Sequence, residues 1–426
     1  MIAVLTPEEV RAVDAAAPEP VEVLIGRAGA AVAAEAVDLL GGAYGRRVVV
    51  IAGKGNNGAD GREAARLLRR RGARVDVVDP TVRAIAVCDL VIDAAYGTGF
   101  RGTWDPPDIH GAPILAVDIP SGLDARTGLG EALPAGRTVT FQALKPAHLL
   151  TDSCGEIVVA DIGLDVSSAP TWLVEDRDVQ LPTRPRAAHK WRSAVWVVAG
   201  SPGMTGAATL ASRAAQRAGA GYVRLSPGGD GPTEAVAAPV PVEGWNGLDR
   251  FRAALVGPGM GRAHDALIRR LVTTATVPCV VDGDGLTALG REAKACVQAT
   301  TVLTPHDGEY ERLAGHPPGD DRFDAARTLA TALGCTVLLK GSTTIVAAPD
   351  GRVLVAAQGD ARLATAGTGD VLSGVIAAFL AQGVAPLEAA AWAAHVHGLA
   401  AQAGPARGLV AGDLVERLPA VLSGIG

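Results

Sequence analysis

Val48-Val49-Val50-Ile51-Ala52-Gly53-Lys54-Gly55-Asn56-Asn57-Gly58-Ala59-Asp60-Gly61 is the stretch from which the fold can be read. An apolar run of strand length meets a glycine loop, and a helical pattern continues through Leu67 and Leu68 to Gly72. That is a β-loop-α unit. Apolar runs recur at Val75–Val78, Leu90–Ile92, Ile114–Val117 and Ile157–Val159, each closing on Asp or Gly. Strands spaced in this way predict a largely parallel sheet. A second series follows at Val195–Val198, Ala254–Val256, Val280–Val281 and Val302–Leu303, with a loop Gly200–Gly206 and an Ala-rich helix to Ala218. Between Val337 and Val355 two apolar runs flank Pro349-Asp350-Gly351, which predicts a hairpin.

The pattern lapses between Asp165 and Lys190, where Pro170, Pro182 and Pro185 fall. A boundary there gives two α/β domains, 1–170 and 171–426. A chain of 426 residues exceeds what one hydrophobic core sustains. With 48% hydrophobic but only 4% aromatic residues, that core is built from Ala, Val, Leu and Ile. A net charge of -6 with scattered arginines argues against a nucleic-acid surface. The five cysteines form no C-x-x-C pair, and Met1 to Glu9 lacks the basic and apolar regions of a signal peptide, so a cytoplasmic protein is expected. Val371 to Ala403 is broken by Gly383 and Pro386 and carries His395 and His397. It predicts two buried helices and no membrane span.

Gly53 to Gly58 matches G-x-G-x-x-G after a strand, with Asp76 and Asp79 about 20 residues on, as a dinucleotide fingerprint requires. The adjacent Asn56, Asn57 and Asp60 suit a hard cation or a polyhydroxylated ligand instead, and a plain glycine turn is a third reading. Asp93, the loop Gly97-Thr98-Gly99-Phe100-Arg101-Gly102 and the stretch Asp118 to Asp124 all follow predicted strands. They are expected to converge on one crevice, although each acid could also simply cap a helix.

In the second half, Gly367-Thr368-Gly369-Asp370 opens an apolar helix. Two glycines there favour a nest of N–H donors for phosphate, with Asp370 placed as a general base or, alternatively, as a cap. His306 and Lys340 each follow a strand; a structural histidine and a surface lysine are the plainer readings. No G-x-x-x-x-G-K-[ST] and no H-E-x-x-H occurs, so a P-loop ATPase and a zincin are excluded by their signatures.

Taken together, Arg27-Ala28-Gly29, Gly55 to Gly61, Asp93 with Gly97 to Gly99, Val117 to Gly122, His189-Lys190, Gly206-Ala207-Ala208, Gly257 to Gly261, Asp282, Thr304-Pro305-His306, Lys340-Gly341 and Ala366 to Gly374 resemble the bifunctional NAD(P)H-hydrate repair enzymes. The resemblance covers nearly the whole chain. It implies an N-terminal Rossmann-like three-layer α/β epimerase domain and a C-terminal ribokinase-like ADP-dependent dehydratase domain. In the first, it implies a potassium ion held by Asn57, Asp93 and Ser121, with the hydrate held by Asn56, Asn57, Gly58, Ala59, Asp60, Gly97, Thr98, Gly99, Phe100, Arg101, Gly102, Thr103 and Asp118. Asp118 is the implied acid–base group, and Arg101 is available for a phosphate. In the second, it implies Asp370 as the catalytic group acting on the hydroxyl, Ala207, Gly259 and His306 as further hydrate contacts, and Lys340, Gly341, Ser342, Thr343, Thr344 and Gly369 as the ADP site, with Mg2+ as a possible companion. The implied partners are NADHX, NADPHX and ADP, with a homo-oligomeric enzyme expected and no nucleic acid or membrane.

Two departures stand out. Ala59 occupies a position where the family motif usually has glycine, so its methyl is expected to crowd the substrate, and Lys54 stands where proline is common. The rival reading is a ribokinase-type small-molecule kinase, since Gly367 to Asp370 suits phosphoryl transfer equally well. Its N-terminal half would be a non-catalytic nucleotide-binding module or a conventional dehydrogenase domain.

Overall fold

The computed structural model describes residues 1–227 and 231–425. The chain divides into two compact units, Ile2–Ala169 and Pro170–Gly426, the latter joined by Met1.

In the first unit, helices α1 (Pro7–Ala15) and α2 (Val21–Leu40) precede β1 (Arg47–Ala52), α3 (Asn56–Arg70), β2 (Arg74–Val78), β3 (Leu90–Ala94), β4 (Ile114–Val117), β5 (Arg137–Phe141), α4 (Pro146–Leu150) and β6 (Glu156–Ala160). The strands form one six-stranded sheet in the order β2-β1-β3-β4-β5-β6, and every neighbouring pair is parallel. Because side chains alternate along a strand, Val48 and Val50 pack under α2 and α3 with Val32, Ala36, Ala64 and Leu68. Val49 and Ile51 face the other way, onto Ile85, Trp104 and Ile114. Helices cover one face, and the third layer is built from loops around Ile85 and Trp104. The sheet order reverses between β1 and β3, where Ile51 pairs with Asp93 and Ala52 with Ala94. The glycine loop and Asp93 thereby meet at a topological switch point, the place where open α/β sheets bind ligands.

The second unit contains β7 (Thr171–Leu173), β8 (Ala194–Val198), α5 (Thr205–Arg217), β9 (Tyr222–Ser226), β10 (Val236–Ala237), β11 (Ala253–Val256), β12 (Cys279–Val281), β13 (Thr301–Leu303), α6 (Asp307–Ala314), β14 (Thr336–Leu339), β15 (Thr344–Ala347), β16 (Val353–Ala356), α7 (Thr368–Ala381), α8 (Pro386–Gln402) and α9 (Ala411–Gly424), with further helices between them, Asp265–Thr273 and Arg322–Leu333 among them. Its strands run in the order β7-β16-β15-β14-β13-β12-β11-β8-β9-β10. Among the described residues, pairing in this unit is antiparallel only for β14 with β15 and β15 with β16. The single expected hairpin is therefore a three-stranded meander, because Lys340 to Thr343 makes a second turn ahead of Pro349-Asp350-Gly351. Nearly all of α7 and most of α8 are buried, as two apolar helices broken at Gly383 should be. Gly374 lets α7 close on α5: a Cβ there would lie 2.2 Å from the Ala211 carbonyl oxygen. Among the described residues no helix is long and apolar enough to cross a membrane.

Candidate active sites

In the first unit, glycines shape the crevice by letting main chains touch. A Cβ on Gly58 would lie 1.9 Å from the Gly53 carbonyl oxygen, and one on Gly53 would lie 2.0 Å from the Ala95 carbonyl oxygen. Gly55, in contrast, faces open space. Side chains then converge from the C-terminal edge of the sheet. Asp93, at 0% exposure, accepts from Ser121 N at 2.8 Å, Ser121 Oγ at 2.6 Å and Ala95 N at 3.2 Å. Burial holds its pKa above the usual range, against the opposing pull of those donors. Both side-chain polar atoms of Asn57 are buried without a hydrogen-bond partner. Asn57 and Asp118 meet across Gly97, where a Cβ would lie 3.1 Å from Asp118 Oδ2 and 3.2 Å from Asn57 Cγ.

A cavity of about 820 Å³ opens here. Asn56, Asn57, Asp60, Gly97, Thr98, Gly99, Phe100, Arg101 and Asp118 line it; Gly58, Ala59, Gly102 and Thr103 do not. The Ala59 methyl is half-buried outside the lining, which removes the reason to expect crowding of a ligand. Asp118, which directly follows β4, adopts φ 69°, a left-handed conformation uncommon outside glycine. Its Oδ1 lies 2.5 Å from Lys145 Nζ, and its Oδ2 accepts from Thr98 N at 3.2 Å. Burial alone would raise its pKa, but the Lys145 charge outweighs it and keeps Asp118 below the usual carboxylate range. Asp60 is pushed up to about 8, first by burial and then by the charges of Asp118 and Asp14.

In the second unit, β12, β13 and β14 deliver Asp282, Thr304 and Lys340 to one edge of the sheet. Lys340 Nζ lies 2.9 Å from Asp282 Oδ1 and 3.5 Å from Glu309 Oε2. Ser373 Oγ, one turn into α7, donates to Asp282 Oδ2 at 2.5 Å. Burial raises the Asp282 pKa, yet Lys340 and the hydroxyl donors bring it below the usual range. Gly367 caps α7 in a left-handed conformation with φ 88°. Among the described residues, the amides of Gly369 and Asp370 donate to no main-chain carbonyl, as the open first turn of a helix allows. A Cβ on Gly369 would approach Lys340 Nζ at 3.6 Å and Asp282 Oδ2 at 3.8 Å, so main chain and charged cluster are in contact. Asp370 is pushed up to about 7, chiefly by burial and then by Asp282, with Lys340 opposing. The geometry offers amides of the kind that suit an anion beside a carboxyl group pushed toward neutrality.

Comparison with known proteins decides the family. A model described as NAD(P)H-hydrate dehydratase matches residues 195–421, and one described as YjeF-related protein N-terminus matches residues 21–86 and 78–147. The bifunctional NAD(P)H-hydrate repair enzyme of Mycobacterium tuberculosis is 42% identical over 392 residues, covering 82% of this chain and 82% of the relative. The chain belongs to the bifunctional NAD(P)H-hydrate repair enzymes. The crystal structure of the ADP/ATP-dependent NAD(P)H-hydrate dehydratase from Bacillus subtilis, co-crystallized with ATP/Mg2+, is 29% identical and superposes with a TM-score of 0.51 over 59% of this chain and 96% of that one. A ribokinase-like superfamily protein from Enterococcus faecalis, 20% identical, aligns with a TM-score of 0.53 over 60% of this chain and 97% of that one, and shares the fold.

In this repair enzyme the remaining candidate residues of the second unit are held by local contacts. A Cβ on Gly259 would lie 3.0 Å from Ala207 Cβ, which makes the two neighbours, and Ser201 Oγ fixes the Gly259 carbonyl at 2.9 Å. Asp284 Oδ2 accepts from Gly261 N at 2.8 Å, tying that loop to the Asp370 neighbourhood. His306 caps α6: its Nδ1 accepts from Gly308 N and Glu309 N, while its own N donates to Glu309 Oε2. Its ring is thereby held by the helix start. Gly341, Ser342 and Thr343 form the turn after β14 and Thr344 opens β15; the turn is pinned by Arg322, which donates to the Lys340 carbonyl at 2.8 Å and to Asp307 Oδ2 at 3.0 Å.

Lys145, His148, Asp14, Glu309 and Ser373 carry the electrostatics of the two sites; the first three had no signal of their own in the sequence, while Glu309 and Ser373 fall within motif stretches without being singled out. Lys145 lies in an unremarkable Leu-Lys-Pro, and Ser373 sits inside an apolar helix. Asp282 had one: an acid closing a buried strand. Among the described residues no group of three or more His, Cys, Asp or Glu side chains is arranged to hold a metal. Asn57, Asp93 and Ser121 offer donors of a different kind, an amide oxygen, a hydroxyl oxygen and a single carboxyl group.

Proposed function

We propose that this chain repairs hydrated nicotinamide cofactors in two steps, the first unit interconverting the R and S epimers of NADHX and NADPHX and the second dehydrating the S epimer with ADP. The observation that carries the reading is the pair of carboxylates, Asp118 and Asp370, each placed at the C-terminal edge of its own sheet with opposite electrostatic tuning. Asp370 titrates near neutrality, as a general base for a hydroxyl should, and the adjacent Gly369 and Asp370 amides suit the charge that develops on a transferring phosphoryl group. Asp370 takes the hydroxyl proton, the hydroxyl oxygen takes the terminal phosphoryl of ADP with AMP leaving, and loss of phosphate from that carbon together with a proton from the neighbouring ring carbon restores the ring double bond. Lys340 to Thr344 and Gly369 hold the nucleotide, with Mg2+ as its companion, and Ala207, Gly259 and His306 border the hydrate.

In the first unit, Asn56, Asp60, Asp118 and the loop Gly97 to Thr103 hold the hydrate. A potassium ion fits between Asn57, Asp93 and Ser121, because Asp93 is buried with only neutral donors and the Asn57 amide is buried without a partner. When bound, the ion supplies positive charge that offsets Asp93. We read the enzyme as a cytoplasmic homo-oligomer acting on small molecules, with no nucleic-acid or membrane partner. The kinase alternative differs in its product, a stable phosphorylated alcohol. The test is the division of labour: Asp370→Asn should abolish recovery of NADPH from both epimers, and Asp118→Asn should abolish it from the R epimer alone. Equal loss in the two variants overturns the assignment.

A further inference from the structure

Lys145 borders the cavity of the first unit at 2% exposure, a burial that lysine reaches when it is paired. Its ammonium lies 2.5 Å from Asp118 Oδ1 and 2.6 Å from Thr140 Oγ1. His148 joins the two residues through their main chains. Lys145 N donates to His148 Nδ1 at 3.0 Å, which leaves the imidazole proton on Nε2, 2.8 Å from the Asp118 carbonyl oxygen that accepts it. Burial lowers the His148 pKa to about 4, so the ring stays neutral and keeps this tautomer. The clamp holds Asp118 in its left-handed conformation. The other acids facing Asp118 are Asp60 from α3 and Asp14 from α1, both in the cavity lining. Asp60 is 7% exposed, and burial pushes its pKa to about 8; burial raises Asp14 as well. Two carboxyls in one pocket, one held by a cation and one left without it, are divided between base and acid.

The chemistry of the hydrate gives that division a purpose. An enamine protonated on carbon takes up water at the carbon beside nitrogen, so the hydroxyl of the hydrated ring sits next to the ring nitrogen, and epimers differ at that carbon. Inversion there needs one of its bonds to open and close on the other face.

We propose that Lys145 is a positioning residue for epimerisation, fixing Asp118 as the base and leaving Asp60 as the acid of a ring-opening step. The hydroxyl proton passes to Asp118, the O–H pair becomes the second bond of an aldehyde, the C–N bond breaks, and its electron pair takes a proton from Asp60. Rotation and the reverse transfers close the other epimer with both carboxyls restored. This rests on the epimerase reading of the first unit.

The test follows conversion of purified R hydrate to S in the full chain without ADP, so that dehydration is silent. Lys145→Met is expected to lower kcat about 100-fold, the scale of acid–base catalysis, with KM changed far less. Its remaining rate should fall as pH drops below neutral, where the wild type stays level, because a buried Asp118 without its cation takes up a proton more readily. Lys145→Arg should restore the wild-type profile. Asp60→Asn, which leaves the Lys145 clamp intact, should cost a similar factor in kcat and serves if Lys145→Met does not fold. A wild type that epimerises while Lys145→Met keeps its kcat and pH profile, or Asp60→Asn keeps its kcat, overturns this inference alone. A wild type that does not epimerise overturns the epimerase reading and the inference with it.

Discussion

The pH dependence of dehydration follows from the position of Asp370. Burial and the neighbouring Asp282 push its pKa to about 7, and Lys340 only partly offsets them. The group acts as its carboxylate, so acid inactivates it: at pH 6 about one molecule in ten carries the ionised base and at pH 8 about nine in ten, which makes kcat/KM rise about tenfold between them. The assay is NADPH absorbance during dehydration of purified S hydrate at subsaturating substrate and fixed ADP, so that the limb reports the free enzyme. Asp282→Asn removes the nearest like charge and frees Lys340 to face Asp370. Both effects favour the ionised form, so the limb should move to lower pH by about one unit, the scale on which one neighbouring charge acts. A profile flat from pH 6 to 8, or a limb that stays in place in Asp282→Asn, would refute the assignment of Asp370 as the titrating base.

Other consequences are sharper in stability than in rate. Lys340→Met leaves Asp282 buried beside Ser373 without its cation and should destabilise the second unit by about 3–5 kcal/mol; urea unfolding measures it, and adding Asp282→Asn should recover much of the loss, whereas additive effects would contradict the pairing. Gly58→Ala drives a methyl into the Gly53 carbonyl and should end epimerisation while ADP-dependent dehydration of S hydrate continues; retained epimerisation would show that the loop has room. Replacing potassium by tetramethylammonium should slow epimerisation and lower the melting temperature of the first unit, and no change in either would remove the ion from Asn57, Asp93 and Ser121.

Much of the frame was legible because it rests on short-range pattern. Val48 to Gly61 reads as strand, loop and helix, and Asp93 near the end of β3 and Asp118 just after β4 come to the same edge because parallel strands end there. The strand Arg137–Phe141 was not legible: Thr138 and Thr140 break its apolar run, and both are buried with their hydroxyls satisfied, Thr138 on the Cys154 carbonyl at 2.6 Å. The turn at Lys340 to Thr343 is written in polar residues, but Pro349-Asp350-Gly351 is the stronger turn signal and drew the single hairpin to itself. Tertiary electrostatics left the least trace. The Lys145 partner lies 27 residues away in sequence and the Ser373 partner 91, and no local spacing reports such pairs. The glycine fingerprint misled in the opposite direction, because Gly53 and Gly58 are required by chain-to-chain contact and only Gly55 leaves its side open.

Purified R and S NADPH hydrates, each incubated with the full-length protein with and without ADP, test the two-site account most directly. It predicts that the S form yields NADPH only when ADP is present, and that the R form is converted to S without ADP and to NADPH with it. NADPH formed from R without passage through S, or S consumed to a lasting phosphorylated product, would contradict it.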